Sequence, residues 1–328
     1  MLKYTVVYVL ISGAKDFYSE QALVSVFSFR LYHPDDNVIL LCDKNTYSHL
    51  LNDRKDIFNY ITSFQIIDIP QNYNNKQKSR WIKTSLKKYV KGDFLFIDCD
   101  TVITGKFEEE LVSTSSIAAV YDLHTNLQRN LFKNDLIKRC NNIGVDITLE
   151  KEYYNSGIMY VKDTPESDTF FDNWHKNWII GLQNGVDYDQ PTFAKTNIEM
   201  KHIISKLDDK YNCQIYFNGV SYIYNSKIIH YFSSSTKKEN PYIFTNDKYL
   251  SEIKKNGIIN DTIIYKSIIN PKEAFQSHSI IIGEEDFLTL CSPLTSINNK
   301  LINKSKKIER FLIIISSTLL KLFNILGL

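Results

Sequence analysis

Two aspartates, Asp98 and Asp100, stand two positions apart directly after the apolar run FLFI in the stretch GDFLFIDCDTVITGKFEEEL (92–111). Side chains at positions i and i+2 of an extended segment point the same way. Two carboxylates placed like this repel each other unless a cation lies between them. Oxygen ligands suit hard cations such as Mg²⁺ or Mn²⁺, which typically hold a diphosphate and neutralise a leaving group. The spacing indicates a metal site, and a turn with two solvated carboxylates is the alternative.

Three continuous apolar runs supply the strands that would position this site: YTVVYVLI (4–11), NVILLCD (37–43) and FLFIDCD (94–100). Such runs are typical of strands that are covered on both faces, as in parallel sheets. The aspartates follow the third run, and ligands of such sheets bind beyond the carboxyl ends of the strands.

Helical patterns separate these runs. Ala22, Val26 and Phe29 recur at helical spacing between the first two runs. A second helical face is predicted before the third run, ended by Gly92; its residues are Trp81, Ser85, Leu86, Tyr89 and Val90. The alternation of strands and helices predicts a doubly wound α/β domain.

Further along, strands are predicted at 115–122, 155–163 and 226–232, and a helix in SDTFFDNWHKNWIIGL (167–182). The pattern weakens from about residue 233. We therefore predict three regions, which are a catalytic domain at 1–240, an appended region at 241–300 and a tail at 301–328.

The tail combines a basic run with an apolar end. The basic run KLINKSKKIER (300–310) carries Lys300, Lys304, Lys306, Lys307 and Arg310. As a helix, the stretch 311–328 would span roughly 27 Å, slightly short for a bilayer. An amphipathic helix lying on an anionic membrane surface fits this pattern. A short spanning anchor and a terminal helix packed on its own domain are the alternatives.

Composition excludes some functions. The net charge of the 328-residue chain is only +2, so no strong positive potential indicates binding to nucleic acid. The five cysteines form no CxxC pair, so a disulfide framework or zinc cluster is not expected and a reducing compartment is favoured. The apolar run Thr5–Ile11 is too short for a signal peptide and is predicted as a strand. We expect a cytoplasmic protein that is peripherally associated with the cytoplasmic face of a membrane.

The segment KSRWIKTSLKKYVKGDFLFIDCDTVITGKFEEEL (78–111) resembles the centre of nucleotide-sugar transferases with the GT-A fold. It is similar to the family 8 group, which includes glycogenin and bacterial lipopolysaccharide α-galactosyltransferases, and the resemblance covers roughly residues 4–240. It implies a Rossmann-like α/β fold, with a mixed, mostly parallel sheet flanked by helices. It also implies that Asp98 and Asp100 bind Mn²⁺ (or Mg²⁺), with His230 of IIHYF as the third ligand. A structural role is the alternative for His230.

Three further motifs resemble the family in the same order. IAAVYD implies that Asp122 contacts the donor sugar. YYNSGIMYVK implies that Asn155 binds sugar hydroxyls and that the backbone at Ser156 approaches closely. GVDYDQPTF implies that Asp189 binds the donor sugar or acceptor hydroxyls and that Gln190 lies on the face of the anomeric carbon.

The resemblance implies weaker candidates for the nucleotide. The family places one basic residue before the aspartates, and either Arg80 or Lys83 fills that place. Tyr18 would stack on uracil, although a core tyrosine is the alternative. After His230 the family's HxxGxxKPW is replaced by HYFSSSTKKENPY, in which Lys237 falls one position late for the diphosphate.

The predicted function is metal-dependent transfer of a hexose from a nucleotide sugar, a UDP-hexose, to a glycan or glycolipid acceptor, as in lipopolysaccharide or capsule biosynthesis. The resemblance implies retention, and Gln190 is a poor nucleophile, so front-face attack is preferred over double displacement. One alternative is a sugar-phosphate nucleotidyltransferase, although the loop LISGAKD is poor in glycine for that class. The other is a nucleotide- or carbohydrate-binding module whose catalytic site has decayed.

Overall fold

The computed structural model describes residues 1–111, 113–215, 217–231, 247–276, 292–293, 295 and 306–326. The chain divides into two compact units, Met1–Ser279 and Ile280–Leu328. The predicted region boundaries near residues 240 and 300 stay predictions.

The described strands all belong to the first unit. They are β1 (Thr5–Leu10), β2 (Val38–Cys42), β3 (Ser63–Ile66), β4 (Phe94–Ile97), β5 (Thr101–Ile103), β6 (Ile117–Tyr121), β7 (Tyr154–Val161), β8 (Ile204–Lys206), β9 (Cys213–Gln214) and β10 (Ile228–His230).

The described α-helices of the first unit surround these strands. They are α1 (Tyr18–Tyr32), α2 (Lys44–Asp53), α3 (Asn75–Thr84), α4 (Lys133–Asn141), α5 (Pro165–Gln183), α6 (Asp189–Glu199), α7 (Asp247–Asn256), α8 (Thr262–Ile269) and α9 (Glu273–Gln276).

Seven strands form one sheet in the order β3-β2-β1-β4-β7-β6-β8. The pairs β3–β2, β2–β1, β1–β4 and β6–β8 are parallel, whereas β7 runs antiparallel to both of its neighbours, β4 and β6. A smaller sheet has the order β5-β10-β9, in which β10 is antiparallel to β5. The predicted mixed, mostly parallel sheet flanked by helices is therefore confirmed.

The central strand β4 shows why its apolar run is continuous. Successive side chains of a strand point to opposite faces. Leu95 and Ile97 pack in the same cluster as Phe29 of α1. Phe94 and Phe96 pack in the cluster on the other face, which also holds Trp174 of α5. Both faces of β4 are thus buried, and its carboxyl end is the part left to carry polar groups.

The helix predicted up to Gly92 ends earlier than expected. α3 begins at a capping box, in which Asn74 and Gln77 each bond the other's backbone N–H, and it ends at Thr84. The hydroxyl groups of Thr84 and Ser85 donate to the carbonyls of Arg80 and Trp81, and such bonds compete with helix continuation. The next residues form a 3₁₀ turn, and Gly92, with φ of +77°, turns the chain into β4.

Part of the predicted appended region contributes to the first unit's core. Leu250 and Ile253 of α7 and Ile264 and Ile268 of α8 are buried in the same cluster as Leu95. The sequence pattern did not predict these helices, because their apolar residues recur over only two or three turns each.

In the second unit, Lys306–Leu326 forms helix α10, which lies within the predicted helical tail. Phe311, Ile313, Ile314 and Ile315 are exposed on it. Among the helices of the described residues, none has the length and apolar character needed to cross a membrane.

Candidate active site

A cleft of about 530 Å³ opens at the carboxyl ends of β1 and β4, beside the start of the antiparallel β7. Most of the residues singled out from the sequence line it. Those residues are Tyr18, Arg80, Lys83, Asp98, Asp100, Asn155, Ser156, Asp189, Gln190 and His230. Asp122 is not among the lining residues, and Lys237 lies outside the described residues.

Asp98, Asp100 and His230 form the candidate metal centre. Each offers one ligand atom, and these atoms lie within 4.8 Å of one another. Strand β10 pairs with β5 so that His230 stands opposite Thr101, and His230 Nε2 therefore lies 3.2 Å from Asp100 Oδ1. Two carboxylates and an imidazole are a donor set that fits Mn²⁺ or Mg²⁺.

The electrostatics around Asp98 also favour a cation. Burial, together with the nearby Asp100 carboxylate, raises the pKa of Asp98 above its ordinary value, although Lys83 acts in the opposite direction. A cation between the two carboxylates would relieve this repulsion. The residues present thus fit a divalent ion.

Gly157 makes room for the metal ligands. A Cβ atom at this position would lie 2.4 Å from His230 Cε1 and 3.0 Å from Asp98 Oδ2. The Gly157 carbonyl also accepts a hydrogen bond of 2.8 Å from the Asp98 backbone N–H. Because no larger residue fits without displacing His230, the absence of a side chain here allows β4, β7 and β10 to bring their ends together.

The two basic candidates, which the sequence could not separate, have different surroundings. Lys83 Nζ lies 2.9 Å from Asp189 Oδ2 and 3.3 Å from both carboxylate oxygens of Asp98, and its side chain is only 3% exposed. Arg80 Nε lies 3.0 Å from Asp189 Oδ1, but 28% of the Arg80 side chain is exposed. Lys83 therefore bridges the carboxylates of Asp98 and Asp189, whereas Arg80 is the more exposed of the two basic residues that line the cleft.

Asp189 is the first residue of α6 and is held from several sides. Ser156 Oγ donates to Asp189 Oδ2 at 2.8 Å, and Trp174 Nε1 donates to the Asp189 carbonyl at 3.1 Å. Burial alone would raise the pKa of Asp189, but Lys83 and Arg80 hold it well below its usual range. Asp189 is therefore a fixed anion at neutral pH. Sequence reasoning did not predict that its motif begins a helix.

Asp122 contacts Asn155, which lines the cleft. Asn155 Nδ2 donates to Asp122 Oδ1 at 3.2 Å and lies 3.5 Å from Gln190 Oε1. Asn130 Nδ2 donates to the other oxygen of Asp122 at 3.0 Å. The two predicted sugar ligands are brought together, and their contact with a donor sugar stays a prediction.

Tyr18 lies at the start of α1 with 37% of its surface exposed, on the wall of the cleft. Burial of the ring, followed by the Asp16 charge, raises the pKa of its hydroxyl. The position allows a base to approach the ring, and the predicted stacking on uracil stays a prediction.

Sequence reasoning missed residues that support or line the site. Asn212 Oδ1 lies 2.9 Å from His230 Nδ1, and no local pattern marks this asparagine. At the mouth of the cleft, Lys76 Nζ lies 3.6 Å from the centre of the Tyr188 ring and 2.8 Å from Asp187 Oδ1. The position of Tyr188 one residue before Asp189 is the signal that could have identified it.

A scan against protein-family models and a search of curated proteins found no match to this chain. Solved structures do resemble it. The galactosyltransferase LgtC, in complex with donor and acceptor sugar analogues, is 12% identical with a TM-score of 0.49, over 80% of this chain and 99% of that one. Mouse xyloside xylosyltransferase 1 is 12% identical with a TM-score of 0.46, over 70% of this chain and 97% of that one.

The glycosyltransferase GlyE of Streptococcus pneumoniae is 17% identical with a TM-score of 0.46, over 86% of this chain and 67% of that one. All three are similarities at low sequence identity.

Proposed function

We propose that this chain is a metal-dependent glycosyltransferase that moves a hexose from a nucleotide sugar, a UDP-hexose, to a hydroxyl group of a glycan or glycolipid, with retention. The observation that carries the proposal is that Asp98, Asp100 and His230 come together in a cleft that Arg80 also lines. The sequence resemblance to family 8 transferases supports the same reading.

In this proposal, each basic or acidic residue has a separate role. Arg80 contacts the diphosphate, because a guanidinium group can bind phosphate oxygens in a bidentate way. A divalent ion bound by Asp98, Asp100 and His230 would neutralise charge on the leaving diphosphate. Lys83 holds Asp98 and Asp189 in place. Lys237 would assist at the diphosphate.

Retention by front-face attack is supported by the state of the carboxylates. Among the described residues that line the cleft, the carboxylates are Asp98, Asp100 and Asp189. The first two are the candidate metal ligands, and both oxygens of Asp189 contact cations or a hydroxyl. A covalent glycosyl-enzyme needs a carboxylate that can reach the anomeric carbon. The neighbouring Gln190 is an amide, so direct attack by the acceptor hydroxyl is the proposed route.

The test is donor hydrolysis without acceptor, across UDP-, GDP- and CDP-sugars, with and without Mn²⁺. We expect slow, Mn²⁺-dependent release of UDP from one UDP-hexose. Asp100→Asn should abolish this release, while the matched control Asp35→Asn, at an exposed position before β2, should retain it. Release of UDP by Asp100→Asn at the wild-type rate would refute the metal assignment.

Two further assays separate the alternatives. Pyrophosphate release from a nucleoside triphosphate and a sugar 1-phosphate would identify a nucleotidyltransferase. Binding of a nucleotide sugar without cleavage, even with acceptors present, would identify a decayed module.

For the acceptor, we propose a lipid-linked glycan at the cytoplasmic face of a membrane. The support is the basic run of the tail and the exposed side chains of α10, including Phe311 and Ile314. Deleting residues 301–328 should release the protein from anionic liposomes and leave donor hydrolysis intact. Unchanged liposome binding would contradict the role of the tail.

A further inference from the structure

A chain of buried amides connects the backbone of β7 to the candidate metal ligand His230. The Gly157 N–H donates to Asn155 Oδ1 at 2.9 Å, Asn212 Nδ2 donates to the same oxygen at 3.0 Å, and Asn212 Oδ1 lies 2.9 Å from His230 Nδ1. Asn155, Asn212 and His230 are 3%, 0% and 2% exposed. Water therefore does not compete for these bonds.

The orientation of the Asn155 amide is fixed by chemistry at both ends. A backbone N–H can only donate, so the atom that faces Gly157 must be the oxygen. A carboxylate accepts, so the atom 3.2 Å from Asp122 Oδ1 must be the nitrogen. Two independent neighbours therefore give the same orientation, although an amide's two ends are otherwise hard to tell apart.

This orientation passes along the chain. Because Asn155 presents its oxygen to Asn212, the facing atom of Asn212 must be the nitrogen that donates. The other end of the Asn212 amide, which faces His230 Nδ1, is then the oxygen. An amide oxygen only accepts, so His230 Nδ1 must carry a proton.

A neutral imidazole carries one N–H, so a proton on Nδ1 leaves the lone pair on Nε2. Nε2 is the nitrogen that lies 3.2 Å from Asp100 Oδ1, on the side of the candidate metal centre. We propose that Asn212 is a positioning residue for His230. Together with Asn155, it completes a chain of hydrogen bonds from the Gly157 N–H to His230 Nδ1. This chain fixes the tautomer whose unprotonated Nε2 can bind a divalent cation. This inference rests on the proposed metal site, and it gives Asn155 a supporting role that the sequence did not predict.

The first test is the tautomer of His230 in the metal-free, full-length protein. Long-range ¹H–¹⁵N correlation spectra of ¹⁵N-histidine-labelled protein are recorded at alkaline pH, where imidazole is neutral. The His230 signals are assigned by their loss in His230→Gln. We expect a protonated Nδ1 and an unprotonated Nε2. A protonated Nε2 in the wild-type protein would overturn the proposal.

The second test measures Mn²⁺ affinity by electron paramagnetic resonance of the free ion. Asn212→Leu removes the acceptor at similar volume and should weaken Mn²⁺ binding by about 10- to 100-fold, the usual effect of losing a partner of a metal-bound histidine. Asn212→Leu should also lose the single Nδ1-protonated tautomer of His230 in the long-range ¹H–¹⁵N spectra, a change that altered packing alone would not produce. An unchanged tautomer, or wild-type Mn²⁺ affinity, in folded Asn212→Leu would overturn the proposal.

Asn177→Leu is the matched control. It also removes a buried amide, which bonds Thr196 and Glu199 between α5 and α6, away from the cleft. It should leave the His230 tautomer and Mn²⁺ affinity unchanged. If the wild-type protein binds no Mn²⁺, the proposed metal site fails, and the tautomer measurement still decides the role of Asn212.

Discussion

Replacing Gly157 by alanine tests whether the close approach of three strand ends creates the metal centre. The added Cβ would lie 2.4 Å from His230 Cε1, 2.9 Å from Asn155 Oδ1 and 3.0 Å from Asp98 Oδ2. Gly157 is not among the glycines with positive φ, so the backbone conformation itself suits alanine. The whole effect therefore comes from these contacts.

The size of the effect follows from the distances. Carbon atoms in contact prefer about 3.5–4.0 Å, so the His230 ring or strand β7 must move by about 1 Å. The ring cannot move that far and keep its 2.9 Å contact with Asn212. We expect overpacking to cost about 1–3 kcal/mol of unfolding free energy. We also expect Mn²⁺ affinity to fall by about 10- to 100-fold.

The assay compares Mn²⁺ binding and thermal unfolding of the wild type, Gly157→Ala and Gly13→Ala. Gly13 is the control, since a Cβ there meets nothing within 4 Å. Gly13→Ala should bind Mn²⁺ as the wild type does. If Gly157→Ala also binds Mn²⁺ with wild-type affinity, the centre does not depend on this contact, and the reasoning is wrong.

Three other predictions concern stability. Lys83→Met leaves the buried Asp189 with Arg80 as its cation and should lower the free energy of unfolding in urea by about 3 kcal/mol, the low end for a broken buried ion pair. Adding Asp189→Asn should recover part of that loss, and no recovery would contradict the pairing. Burial lowers the pKa of His175 to about 4, so the folded state resists protonation there. As the pH drops from 6.5 to 4, the free energy of unfolding of the wild type should therefore fall by about 3 kcal/mol more than that of His175→Gln. Equal pH dependence of the two unfolding free energies would refute this. Asn74→Ala removes the cap of α3 and should cost about 1 kcal/mol in the same urea assay.

The main strands and the aspartates at the end of β4 could be predicted from the sequence, because they depend on local patterns. Side chains of β4 alternate between two faces that are both buried, so Phe94–Ile97 contains no polar residue. The first polar side chain after this run therefore lies at the edge of the sheet. The helical spacing in α1 and α5 is local in the same way. Short elements such as β9 and α9 carry too few residues to show a period.

Most of the predicted site residues line one cleft, but their contacts could not be predicted from the sequence. His230 reaches Asp100 only because β10 pairs with β5 in one particular register. Arg80 and Lys83 lie on the same helix, and the sequence offers no reason to prefer one of them as the phosphate ligand. Their different contacts with Asp98 and Asp189 distinguish them.

By itself, the sequence determined the long buried strands, the helices α1 and α5 and which strand end carries the carboxylates, since these follow from side-chain periods within a few residues. The tertiary structure alone decided which nitrogen of His230 faces the candidate centre. That choice depends on hydrogen-bond directions passed from Gly157 through Asn155 and Asn212, which are brought together from β7 and from the loop before β9. Contacts of a few ångströms between distant segments have no local pattern, because they are set by strand register and packing.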